Sequence, residues 1–281
     1  MRSVGRIAEV RAAVSDARTR GERIGFVPTM GFLHDGHLSL VDEARRRAGF
    51  VAMSIFVNPL QFAPTDDLAR YPRDPQGDAA KAERRGVDLL FAPAVEEMYP
   101  HEMRSEVIPC ALHRRWEGAV RPGHFAGVLT VVAKLFNIVQ PDVAVFGQKD
   151  VQQATLVRAM VEDLAIPVEI VVAPTTREAD GLAMSSRNSY LGADDRRRAT
   201  ILSRALFAIR DAYRHGERRA ESLLSRARTV LDTEPGVSID YVALADGATL
   251  EPVESADDAT VAMIAARVGK TRLIDNVVLG A

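Results

Sequence analysis

Between Ile24 and Val172, short apolar runs alternate with stretches of helical period, and this alternation restricts the possible folds more than any other feature. The runs Ile24 to Val27, Val51 to Val57, Val87 to Phe91, Val143 to Phe146 and Val168 to Val172 have the length and composition of buried strands. Between them, Leu38, Val41, Ala44 and Ala48 recur at helical spacing, so a helix is expected from about His37. Further helices are expected over 79–85, 125–139 and 151–164. Strands separated by helices of this length predict a mostly parallel, doubly wound α/β sheet. Such sheets bind ligands outside the carboxyl ends of their strands.

The pattern changes after residue 173. Pro174 to Leu191 holds few aliphatic residues and many Thr, Ser, Arg and Asp. Helices over 193–213 and 218–231 are followed by strand-like 237–244, 260–267 and 271–278, which suggests a smaller α+β domain. The expected division is therefore 1–175 and 176–281, consistent with a chain of 281 residues exceeding the usual single core. A net charge of −2 gives no reason to expect wholesale nucleic-acid or membrane-surface binding. The arginine patches 45–47 and 196–198 lack interleaved aromatics and read as solvated helix faces. Cys110 is the one cysteine, so no internal disulfide forms, which fits a reducing compartment. The most apolar stretch, 125–139, contains Lys134 and is too short to span a bilayer, and Met1-Arg2 leads into no signal-peptide core. The expectation is a soluble cytoplasmic protein.

Three segments carry phosphate chemistry. In the first, a strand ending at Val27 runs through Pro28, Gly31 and Gly36 into a helix start, the arrangement that presents backbone N–H groups and a positive dipole end to an anion. His34 and His37 stand on it three positions apart, hence on one face. The plain alternative is a capped turn with two solvated imidazoles. The second segment is Gly147-Gln148-Lys149-Asp150 at a strand end, where Lys149 offers a compact charge for phosphate oxygens in a chain of only four lysines. The third is the polar loop Arg177 to Asn188, with Ser185, Ser186 and Arg187 in sequence. Two hydroxyls and a guanidinium bind several phosphate oxygens at once, although a bare interdomain linker would look similar. With no obvious nucleophile or base among them, these groups point to catalysis by positioning and charge stabilisation at phosphorus.

Two glutamines complete the set: Gln61 after the second strand and Gln153 on the helix after Lys149. Neutral amides hold a substrate's hydroxyls without blunting a carboxylate that must attack phosphorus. Asp78 is a candidate to help hold Mg²⁺ through water, with a helix-start acid as its plain alternative. His101, His113 and His215 fall in no motif, and no His/Cys cluster has zinc spacing.

Pro28 to His37, Phe56-Val57-Asn58-Pro59 with Gln61-Phe62, Tyr71-Pro72-Arg73, Arg121 to Phe125, Gly147 to Asp150 with Gln152-Gln153, and Asp180 to Asn188 together resemble the pantoate–β-alanine ligases, in order and over nearly the whole chain. The His-Asp-Gly-His and Met-Ser-Ser-Arg segments are also similar to the two signatures of the wider class I synthetase and nucleotidyltransferase superfamily. The resemblance implies a Rossmann-like N-terminal domain, a smaller C-terminal lid and a homodimer. It implies ATP and Mg²⁺, with pantoate and β-alanine joined through a pantoyl-adenylate. By motif position, Met30, Gly31, Phe32, Leu33, His34, Asp35, Gly36 and His37 would contact ATP, as would Gly147, Gln148, Lys149, Asp150, Thr176, Met184, Ser185, Ser186 and Arg187. Thr176 stands where the family carries an aliphatic residue, and its role there is through backbone. Gln61 and Gln153 would bind pantoate, with Asn58 and Arg121 among the substrate-binding residues. His37 is the family's proton donor, and His34, Lys149 and Arg187 complete the implied catalytic set. A nucleotidyltransferase acting on a phosphorylated acceptor, or a catalytically silent scaffold of this fold, are the competing readings. A tRNA synthetase would need more than the roughly 100 residues after the boundary to read an anticodon.

Overall fold

The computed structural model describes residues 1–62 and 68–281; the side chain of His113 lies outside the described residues. The chain divides into two compact units, residues 1–147 with 156–173, and residues 148–155 with 174–281. Relative to a single cut near 175, the second unit also takes the short segment 148–155, so helix α7 (Val151–Asp163) starts in one unit and ends in the other.

The first unit is built on six parallel strands: β1 (Arg2–Val4), β2 (Ile24–Thr29), β3 (Phe50–Ile55), β4 (Leu89–Phe91), β5 (Val143–Gly147) and β6 (Glu169–Ala173). Their order is β1-β4-β3-β2-β5-β6. From β2 the chain steps outward through β3 to β4, then returns to lay β5 and β6 on the other side. The reversal therefore falls at β2 and β5, the topological switch point of a Rossmann-like sheet. Helices α1 (Ile7–Thr19), α2 (Asp35–Arg47), α3 (Pro75–Arg84), α4 (Val95–Met98), α5 (Glu117–Val120) and α6 (His124–Val139), with α7 between β5 and β6, make the connections. Val27, Val41, Val51, Met53, Leu90 and Val145 form one buried cluster between α2 and the sheet.

β1 has no counterpart in the sequence pattern, because three residues paired along one edge leave no period to read. α2 begins two residues before His37, since His37 N and Leu38 N both donate to the His34 carbonyl and make His34 the cap.

The second unit carries an antiparallel sheet in the order β7 (Val237–Ala245), β8 (Val261–Val268), β9 (Thr271–Val278). Leu202, Leu206, Ile209, Leu223, Ile264 and Leu273 are among the residues packing its helices onto that sheet. The expected helix over 193–213 is two, α8 (Ala193–Ala199) and α9 (Ile201–Arg214), followed by α10 (Ala220–Leu231). At the junction Thr200 N and its hydroxyl both donate to the Arg197 carbonyl, a tight turn that replaces the i→i−4 bond. Among the described residues no helix is long and apolar enough to cross a membrane.

Candidate active site

The stretch from Thr29 to His37 leaves the carboxyl end of β2. Gly31 (φ +85°) and Phe32 (φ 51°) are both left-handed. A Cβ on Gly31 would stand 2.8 Å from Ile55 Cγ2 and 2.9 Å from Asp78 Oδ2, so the turn requires glycine. Phe32 has no such freedom, and its conformation costs on the order of 1 kcal/mol. Asp78 offsets that cost: from the first turn of α3, its buried carboxylate accepts Phe32 N and Leu33 N, each at 2.7 Å. Lys81 Nζ donates to the Leu33 carbonyl at 2.8 Å, and Thr29 Oγ1 accepts Gly31 N while donating to the Ser54 carbonyl. The loop is thus fastened at Thr29, Gly31, Phe32 and Leu33 before α2 starts.

This geometry gives Asp78 a task other than the magnesium role read from sequence. Both oxygens face backbone N–H groups, and the carboxylate is enclosed by the loop it braces. Beyond the brace, the rings of His34 and His37 lie 4.1 Å apart at 39°. His37 Nδ1 accepts the long bond from His34 N at 3.4 Å, so a neutral His37 ring carries its proton on Nε2. Asp35 and Gly36 open the first turn of α2, Asp35 exposed and Gly36 half-buried.

Gln61 closes a 3₁₀ turn, Pro59–Gln61, after β3 and is buried. Asn58, the cap of that turn, is fully enclosed. Its Oδ1 accepts Leu60 N at 3.3 Å and the Tyr99 hydroxyl at 2.7 Å; its Nδ2 donates to the Gly127 carbonyl and to Gln61 Oε1, both at 3.1 Å. Gln61 Nε2 then reaches Met30 Sδ at 3.1 Å. The Gln61 carbonyl accepts from His124 Nδ1 at 2.8 Å, and Arg121 Nη1 lies 3.0 Å from His124 Nε2. Since arginine has only donors, His124 Nε2 accepts, and the ring is the neutral Nδ1–H tautomer. The substrate candidates Asn58, Gln61 and Arg121 are therefore brought together with Met30.

In the second unit, Gln148–Asp150 form a turn fastened to β9. Asn276 Nδ2 donates to the carbonyls of Gln148 and Lys149, each at 2.9 Å, and Asn276 Oδ1 accepts Gln148 Nε2 at 3.0 Å. Lys149 Nζ lies 3.6 Å from Asp150 Oδ1. One residue back, Asp275 receives both guanidinium nitrogens of Arg177, at 2.7 and 2.9 Å. Burial pushes the Asp275 carboxyl up, and the Arg177 bonds oppose it. Arg177 also donates to the Gly181 carbonyl at 3.0 Å, while Met184 N bonds the Thr176 carbonyl at 3.0 Å. Ser185 Oγ accepts Arg187 N at 3.3 Å, and Ser186 opens the 3₁₀ turn Ser186–Tyr190. Gln153 is half-buried on α7.

The family model described as pantoate-beta-alanine ligase matches residues 2–278. The chain belongs to the pantoate–β-alanine ligase family. Among relatives of this ligase, a pantothenate synthetase from Thermoanaerobacter sp. (strain X514) is 50% identical over 275 residues, covering 98% of this chain and 97% of that protein. One from Herpetosiphon aurantiacus is 52% identical over 280 residues, covering 99% and 100%. The crystal structure of pantothenate synthetase from Thermus thermophilus superposes with a TM-score of 0.95 at 49% identity, covering 100% of both chains. A Francisella tularensis pantoate–β-alanine ligase, complexed with β-γ ATP and β-alanine, matches at TM-score 0.82 and 32% identity over 100% of this chain and 98% of that one.

Three side chains in this ligase escape a reading of sequence. His124 sits within the Arg121–Phe125 stretch, whereas Tyr99 and Asn276 lie 41 and 128 residues from the groups they hold. Neither tyrosine nor asparagine carries a spacing signal that could have singled it out.

Proposed function

We propose that the chain condenses pantoate with β-alanine in an ATP-dependent reaction that gives pantothenate, AMP and pyrophosphate through a pantoyl-adenylate. The observation that carries it is the Gln61 amide, held by Asn58 and adjoining Met30 of the β2–α2 loop. A neutral group there suits a carboxylate nucleophile, whereas an enzyme acting on a phosphorylated acceptor needs clustered cations at that position.

In this reading Met30 to His37, Gly147 to Asp150, Thr176 and Met184 to Arg187 contact ATP, and Gln61 and Gln153 hold pantoate, supported by Asn58 and Arg121. The pantoate carboxylate attacks the α-phosphorus and pyrophosphate leaves. His34, His37, Lys149 and Arg187 stabilise the charge that grows on the phosphate oxygens, and Ser185 and Ser186 hold those oxygens. A neutral His37, with its proton on Nε2, would donate from that atom to a phosphate oxygen. The amine of β-alanine then attacks the acyl carbon, loses a proton, and AMP departs. Among the described residues no three His, Cys, Asp or Glu side chains group as a metal cage, and Asp78 is engaged as a brace. Magnesium would be held chiefly by ATP's own phosphates, where it would supply charge neutralisation. A homodimer in the cytoplasm is part of the same proposal.

The test is AMP release with pantoate and β-alanine supplied separately and together, followed by product analysis. The expected result is AMP plus an amide only with both acids present, and pyrophosphate exchange into ATP with pantoate alone. A nucleotide ester as product, or no exchange, would overturn the reading.

A further inference from the structure

The orientation of a glutamine amide decides whether it offers a substrate two N–H donors or a carbonyl lone pair. At Gln61 that choice is made by the protein, and it can be traced to groups whose polarity is unambiguous. Leu60 N can only donate and the Gly127 carbonyl can only accept, so their bonds to Asn58 at 3.3 and 3.1 Å fix which end of the Asn58 amide is oxygen. The Tyr99 hydroxyl, 2.7 Å from Asn58 Oδ1, must therefore donate. Gln61, 3.1 Å from Asn58 Nδ2, must accept through Oε1. Its NH₂ is left facing Met30 and the loop.

Tyr99 is itself clamped. Its ring lies 5.9 Å from that of Phe56 and 5.3 Å below Lys134 Nζ, which also donates to the Met98 carbonyl. Burial pushes the phenol above its ordinary range, so it stays protonated and remains a donor. Once the Asn58 oxygen has both its lone pairs engaged, neither Asn58 nor Gln61 can flip without leaving a buried polar atom unpaired.

We propose that Tyr99 is a positioning residue for pantoate recognition: through Asn58 it locks the Gln61 amide with its NH₂ toward the substrate, so that this position reads an oxygen lone pair and not a hydroxyl proton. This rests on the reading that Gln61 binds pantoate. Tyr99 touches no substrate in this account and acts only through the chain Tyr99–Asn58–Gln61.

The experiment measures kcat and KM for each substrate in Tyr99→Phe, Gln61→Ala and the double variant, with thermal melting alongside. Tyr99→Phe is expected to raise the pantoate KM about three- to tenfold, the scale of one hydrogen bond, and to leave the ATP KM unchanged. In the Gln61→Ala background it should add nothing, because its target is gone. A wild-type measurement covers the case in which Tyr99→Phe fails to fold. A pantoate analogue with its 2-hydroxyl replaced by a ketone keeps the lone pairs and should compete well, and the 2-deoxy analogue should compete poorly. Gln61→Ala should erase that difference.

If Gln61→Ala raises the pantoate KM while Tyr99→Phe does not, or the two effects add fully, the positioning role is overturned and the substrate reading stands. Equal competition by ketone and deoxy analogues in wild type overturns it as well. A Gln61→Ala enzyme with unchanged pantoate KM overturns the substrate reading itself, and the proposal with it.

Discussion

Gly127 and Leu60 approach so closely that a Cβ on the glycine would stand 2.3 Å from the Leu60 carbonyl oxygen. That approach lets α6 press its backbone onto the 3₁₀ turn and brings the Gly127 carbonyl to Asn58. Gly127→Ala forces the turn away from the helix. The overlap is backbone on side chain and cannot relax by a rotamer, so a net loss of about 1–3 kcal/mol is expected despite alanine's better helix propensity. Thermal melting should show a lower midpoint, and steady-state rates a raised pantoate KM. An unchanged melt would mean that α6 is not seated as described.

Asp78→Asn replaces one acceptor of the Phe32 and Leu33 N–H groups by an amide donor. Loss of a buried acceptor is worth about 1–3 kcal/mol, and the left-handed Phe32 should relax once released. The expected signature is lower stability and lower kcat with an unchanged Mg²⁺ requirement. A markedly raised magnesium half-saturation would instead return Asp78 to a metal-binding role.

Lys149→Ala should remove ~2–4 kcal/mol of transition-state stabilisation with little change in folding, since its ammonium pairs with the half-exposed Asp150 at 3.6 Å. The lysine's backbone carbonyl, not its side chain, fastens the turn to Asn276. Single-turnover formation of the adenylate is the direct measurement, and wild-type rates would remove Lys149 from the catalytic set.

The acid limb of stability should depend on Arg196. Its hydrogen bond holds the Asp180 carboxyl below its usual range, and that carboxylate is half exposed, so the effect is modest. A group whose folded pKa is depressed stabilises the fold above its unfolded value, about 4 for an aspartate, and loses that contribution as pH falls through the lower folded value. Arg196→Met should therefore lower the melting midpoint at pH 6 and flatten its decline between pH 5 and 3. Parallel curves for both proteins would contradict this.

Much of the sheet was legible because buried parallel strands are short, continuous apolar runs, as Ile24–Thr29 and Val143–Gly147 show. Helix α6 was legible from its period alone. The bend at Thr200 was not, because it falls between the buried Ala199 and the buried Ile201 and Leu202, with no glycine or proline to mark it. Among the candidate residues, glycines, histidines and the Ser-Ser-Arg run advertise phosphate chemistry through local spacing. The groups that hold them do not: Asp78 meets a loop 45 residues away, and Asn276 meets a turn at a distance of 128. Such partnerships are created by the fold and leave no period or spacing in the chain. The same limit explains Asp78 itself, whose position at a helix start reads identically for a brace, a metal ligand or a plain capping acid.

Asp275 and Asn276 are adjacent on β9, and successive strand residues point to opposite faces. One thereby anchors the hairpin that an antiparallel bridge closes between Arg177 and Ala183, and the other the Lys149 turn. The lysine turn and the hairpin that precedes the Ser-Ser-Arg run consequently share a single two-residue root. Damage at that root should disable both cationic arms together, so a lesion there would mimic the combined loss of Lys149 and Arg187 while touching neither charge.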